Sequence, residues 1–201
     1  MRLRVLLVVA LGACLGALPA LADSATRDTA GLVTFAAHVP IPDTSSQLVR
    51  NDNGVNMTIH TNGLTPGTAT TVWWVVFNHP TLCSHGDGRL RCGLGDLFVP
   101  AVAASVQFAA GHVIGADGGG NFGSYLSEGD TSGCATPGGP LPCNGLLDAR
   151  TADVHLVVRT HGDAIPGLVS EQISSFNGGC LAGEPNVGQC LNLQSAPHEA
   201  R

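Results

Sequence analysis

Seven consecutive residues, Thr71 to Phe77 (TVWWVVF), are all β-branched or aromatic. Such residues favour an extended strand, and successive side chains of a strand point to opposite sides. With apolar groups on both sides, both faces of this strand need cover. The run before it has a different pattern. Val55, Met57 and Ile59 alternate with Asn56, Thr58 and His60, the period of a strand with one wet face. Asn62-Gly63 and Pro66-Gly67 mark turns between the two runs. The stretch therefore predicts a β-sheet protein with its core around residues 55–78. Trp73 and Trp74 should point to opposite faces, one filling the core and the other covered by an insertion or a helix, or else exposed as a ligand-stacking residue.

The rest of the chain fits that class. Strands are expected at Gly31–Val39, Gln47–Arg50, Phe122–Leu126 and Val154–Val158, with an edge strand at Leu191–Gln194. Ala101–His112 is ambiguous between helix and strand and is read as non-helical. Asp23–Thr29 reads as loose, and Gly115–Gly123 as a loop or wide hairpin turn, because glycine loses most entropy when ordered. Ile165, Leu168, Val169, Ile173 and Phe176 recur at threes and fours and predict one short helix over about 167–176, capping an open end. Seven or eight strands match a mainly β, two-sheet β-sandwich, with a jelly roll or closed barrel still open.

Residues 1–22 read as a signal peptide: a basic start, an apolar run, and small residues at Ala20 and Ala22. This predicts a secreted or periplasmic protein with one domain at 23–201. Leu11-Gly12-Ala13-Cys14 resembles the lipobox of bacterial lipoproteins, so a lipid anchor at Cys14 is the alternative. No later stretch reaches the roughly 20 apolar residues that span a bilayer. Six further cysteines fall in three close pairs, 83 with 92, 134 with 143, and 180 with 190. In an exported chain an even count reads as disulfides, and the clustering favours these local bridges.

Without Arg2 and Arg4, seven arginines face fifteen acids and no lysine, a formal charge of about −8. Such a surface repels nucleic-acid phosphate. Gly63-Leu64-Thr65-Pro66-Gly67-Thr68 resembles the Leu-x-Pro-Gly-Thr crossing of fibronectin type III modules, where the leucine plugs the core. Thr70 stands where that family places a tyrosine. The wider wording GLTPGTATTVWWVVFN, with VHLVVRTHG later, is similar to uncharacterised secreted bacterial β-sandwich proteins.

Catalytic motifs such as G-x-S-x-G, H-E-x-x-H and the Walker loop are absent from the sequence. The expected function is a non-catalytic extracellular or periplasmic binding or cell-envelope interaction module. Its partner would be a protein, a glycan or a small molecule. Two alternatives stand beside it. Neutral imidazoles at strands and strand ends, His60, His79, His85, His155 and His161, could ligate copper or zinc, and Asp87, Asp96, Asp117 and Asp130 in glycine-rich loops could hold calcium. A secreted hydrolase would draw on Ser84-His85 beside Asp87, the densest local nucleophile–base–acid set.

Overall fold

The computed structural model describes residues 24–136 and 139–201; the expected leader, residues 1–22, lies outside the described residues. In chain order the strands are β1 (Thr26–Ala30), β2 (Val33–Thr34), β3 (Ser45–Asn51), β4 (Gly54–Thr61), β5 (Thr68–Phe77), β6 (Ala104–Val113), β7 (Gly120–Ser127), β8 (Asp153–Asp163) and β9 (Leu191–His198). They form a four-stranded sheet, β1-β3-β4-β7, and a five-stranded sheet, β2-β9-β8-β5-β6. Every pairing is antiparallel. This is a two-sheet sandwich, and the three expected disulfides, Cys83–Cys92, Cys134–Cys143 and Cys180–Cys190, tie its loops.

The two runs that dominate the sequence lie in different sheets. β4 belongs to the smaller sheet, and Leu64 to Gly67 carries the chain across to β5 in the larger one. Gly67 has φ +80°, a conformation that favours glycine, and Leu64 is buried between the sheets. There Val72, Trp74 and Val76 of β5 and Val154, Leu156 and Val158 of β8 meet Leu48, Val55, Met57, Ile59 and Phe122. The alternate residues Trp73, Val75, Phe77 and Val157 point the other way and form a second apolar cluster with Val106, Leu97 and Val102. Loops cover this outer face, so the molecule has a third layer. That layer is why every residue of β5 is buried.

Several expectations need correction. Thr26–Ala30 is an edge strand, not a loose segment: it pairs only with β3, so its side chains can be polar and largely exposed. Of Gly31–Val39, only Val33–Thr34 is strand. Thr34 N–H bonds Val39 O at 2.8 Å, and His38 takes φ +52° to close that turn. Gly115–Gly123 does not make a hairpin, because β6 and β7 lie in opposite sheets and Gly120–Gly123 already belongs to β7. The helix, α1, is one turn, Val169–Gln172. The buried Gln172 amide bonds the Ile165 N–H and the Asp163 carbonyl, and Phe176 just beyond packs on the outer face rather than on an end. Leu191–Gln194 extends to His198 and lies between β8 and β2, inside its sheet. No helix among the described residues is long and apolar enough to cross a membrane.

Candidate functional site

The third layer does not fill the outer face. A cavity of about 820 Å³ remains between the five-stranded sheet and the loops. Its floor is Trp73, Val75 and Phe77 of β5, Val106 of β6, His155 and Val157 of β8, and Asn192 and Ser195 of β9. Of six phenylalanines, two tryptophans and one tyrosine in the chain, Phe35, Trp73, Phe77, Phe98 and Phe176 line it. Leu94 and Phe98 at its mouth are 59% and 64% exposed, which leaves large apolar groups facing water.

Each wall is fixed by its own polar anchor. Trp73 donates its indole N–H to Thr71 Oγ1 at 2.7 Å and meets Phe108 and Phe176 edge-on. Arg159 lies 4.2 Å from the centre of the Phe176 ring. Its guanidinium also donates to Phe176 O, Asn192 Oδ1 and Asn177 Oδ1, and burial lowers its pKa to about 10. The disulfide loop from His79 to Phe98 is organised on Asp96. This buried carboxylate accepts the backbone N–H groups of Ser84, His85 and Gly93 and the Nδ1–H of His85 at 3.0 Å. Burial works to raise its pKa, but the Gly93 and Ser84 N–H groups and the His85 bonds outweigh that and hold it low. The loop must wind tightly, since a Cβ at Gly93 would lie 2.0 Å from His85 O. His38 Nδ1 pairs with Asp87 Oδ2 at 3.2 Å and ties the turn after β2 to the same loop.

Three histidines line this cavity, His38, His85 and His155. His155 differs from the other two. It is 8% exposed, its Nε2 is enclosed without a hydrogen-bond partner, and its ring meets Phe77 edge-on at 5.1 Å. Burial, with His198 and His38 adding to it, depresses its pKa to about 4, so the ring is neutral.

Compared with protein-family models, curated proteins and solved structures, the chain matches none.

Of the five histidines expected as ligands, only His85 and His155 share this cavity. His60 faces solvent from β4 and meets Asn121 Oδ1 at 2.8 Å, while His79 is exposed just after β5. His161 is fully buried between Thr71 Oγ1 on Nε2 and Gly178 O on Nδ1. The Gly178 carbonyl can only accept, so Nδ1 carries the proton and Nε2 receives the Thr71 hydroxyl. Thr71 Oγ1 in turn accepts from Trp73, which makes His161 a structural tie. Among the described residues two groups bring three ligand-type atoms within 4.8 Å, His161–Cys180–Cys190 and Cys83–Cys92–Asp96. Both use sulfurs already joined as disulfides. Asp87, Asp117 and Asp130 each accept a nearby backbone N–H, from Arg89, Gly119 and Ser132.

The expected hydrolase set is not a triad. Ser84 Oγ and Asp96 Oδ1 both approach the same nitrogen of His85, Nδ1, whereas the mechanism needs two. Asp87 pairs with His38 instead. A different set does have the right connectivity. Asp28 Oδ2 lies 2.8 Å from Nδ1 of His198, and Ser46 Oγ lies 2.8 Å from its Nε2. Ser46 is 1% exposed and sits inside the sandwich, so no substrate carbonyl reaches it. The three side chains bridge the two sheets, because β1 and β3 belong to one and β9 to the other. Beside them Arg50 donates to the carbonyls of Ala149, Ala152 and His198. His198→Ala should cost about 2–3 kcal/mol in a urea titration, since it orphans a buried hydroxyl and a partly buried carboxylate. A fluorophosphonate probe should leave Ser46 unmodified by peptide mass spectrometry; labelling there would show that the serine is accessible.

Proposed function

We propose that this chain is a non-catalytic binding module whose recognition site is the outer-face cavity, and that it encloses a small apolar molecule. The observation that carries the reading is the cavity itself. Its about 820 Å³ lies in the usual range of small-molecule sites, and its walls are aromatic and aliphatic with few polar groups. Much of the third layer comes from disulfide-bounded segments, a means of fixing loops that do not bury enough apolar surface to hold themselves.

The three disulfides and the basic-apolar start of residues 1–22 support an exported protein, secreted or periplasmic, with lipid anchoring at Cys14 as the alternative.

Pyrene is a suitable probe because it quenches tryptophan emission by energy transfer and Trp73 lines the cavity. Purified protein should bind one pyrene with Kd of roughly 10–100 µM. Val75→Trp, which fills the centre of the floor, should weaken this at least about tenfold without lowering thermal stability. Leu94→Ser at the mouth should weaken it by less, about threefold. Binding that both substitutions leave unchanged would place pyrene elsewhere and end this reading.

A further inference from the structure

We infer that the molecule held in this cavity is uncharged, with an apolar body and a single hydroxyl that hydrogen-bonds the His155 imidazole; the inference rests on reading the cavity as the binding site. The first observation is the unsatisfied group. His155 lines the cavity and is more than nine-tenths buried, and among the described residues no hydrogen bond reaches its ring; Nε2 is enclosed, so Nδ1 is the nitrogen left open to the cavity. Buried polar groups are almost always paired, and an unpaired one is costly. A ligand that fills the cavity takes water away from Nδ1: with a hydroxyl it pairs that nitrogen, and without one it leaves a second ring nitrogen unpaired.

The second observation is the charge of the walls. No arginine among the described residues lines the cavity, and the chain has no lysine. The nearby Arg159 is committed to Phe176, Asn192 and Asn177. Asp87 at the cavity edge is a carboxylate. A fatty acid or other anion would lose its hydration here without gaining a cation, and would meet negative charge instead. A cationic ligand is equally ill served at the floor, where His155, Ser195 and Asn192 are neutral. Burial keeps the His155 pKa at about 4, so the ring stays neutral near pH 7.

The third observation concerns the tautomer. His161 and His198 have theirs fixed by a carbonyl and a carboxylate, but no group among the described residues fixes that of His155. A hydroxyl both donates and accepts, so it matches either tautomer, whereas a carbonyl oxygen matches one. Alcohols and phenols with a bulky apolar part are the class that meets all three conditions.

Three probes on one scaffold separate the outcomes: pyrene, 1-hydroxypyrene and pyrene-1-carboxylate, titrated near pH 7 by energy transfer from tryptophan. Hydroxypyrene should bind about tenfold tighter than pyrene, the yield of one good hydrogen bond to a buried group. The carboxylate should bind at least about tenfold weaker than hydroxypyrene. In His155→Leu, pyrene should keep its affinity within about twofold and hydroxypyrene should fall to the same value. Should that variant fail to fold, the imidazole nitrogen resonance of His155 in the parent protein should move with hydroxypyrene and stay with pyrene. Equal binding of pyrene and hydroxypyrene, a hydroxyl advantage that survives in His155→Leu, a still resonance, or a carboxylate that binds tightest each overturns the inference. Pyrene binding without the hydroxyl advantage leaves the cavity reading intact, whereas failure of all three probes overturns both.

Discussion

Lowering the pH from about 7.5 to 4.5 should remove roughly 5 kcal/mol of folding stability, most of it before any carboxylate of ordinary pKa titrates. His155 and His161 carry the effect. Burial depresses both to about 4 from the ordinary 6.5, and the His161 bond to Gly178 O only partly opposes it. Above about 6.5 both rings are neutral, folded or unfolded, and contribute no pH dependence. Between about 6.5 and 4 the unfolded chain takes up protons that the native state refuses. Stability therefore falls with pH, by about 1.4 kcal/mol per unit for each ring. His198, lowered by burial against the pull of Asp28, works in the same direction. Asp153 opposes it, because burial raises its pKa and the native state then holds a proton that the unfolded chain has lost. Urea midpoints measured across this range test the expectation. His155→Phe should about halve the slope, and a flat profile from 6.5 to 4.5 would mean that neither ring is buried as described.

Trp74→Ala should cost about 3–5 kcal/mol, a large share of the stability of a domain this size. Trp74 is 1% exposed and stands at the centre of the inter-sheet core, between Val72 and Val76 along β5. Removing it leaves a void that two stiff, hydrogen-bonded sheets cannot close. Trp73→Ala has a different consequence, although Trp73 is 2% exposed. Its ring borders an existing cavity, so the void joins that space, and pyrene binding should change along with stability. Denaturant titration with pyrene binding on both variants distinguishes the two positions. Unfolding at the parental midpoint by Trp74→Ala would remove β5 from the centre of the fold.

The sandwich was legible because its rules are local. The alternation of Val55, Met57 and Ile59, the doubly apolar run to Phe77, and the cysteine pairs each act over a few residues. What the sequence hid depends on partners far along the chain. Thr26–Ala30 has no apolar pattern because an edge strand needs none, and only its pairing to β3 makes it a strand. His198 lies beyond the strand expected at Leu191–Gln194, yet it is fully buried because Asp28 and Ser46 satisfy both ring nitrogens. The cavity was half visible. Residues 71–77 announced an outer face that needed cover, but Phe35, Phe98 and Phe176 lie in three separate segments with no shared motif. Only their assembly over β5 and β8 makes a site. His155 was singled out as a ligand-type residue, and its enclosed nitrogen could not be read from its neighbours in sequence.

The position of β9 also sets an order of events during folding. It is the latest of the nine strands to be made, yet it lies between β8 and β2 and supplies the histidine that joins the sheets. The larger sheet therefore has no complete hydrogen-bonded ladder until residues 191–198 have left the machinery that makes or moves the chain. The disulfides have no such wait, since each joins cysteines only nine or ten residues apart. Two of the three loops can be oxidised while β8 and β9 are still outstanding, and the third closes just before β9. The chain can thus reach its final collapse with these loops already cross-linked, and the slow step expected is the long-range closure of one strand into the middle of a sheet.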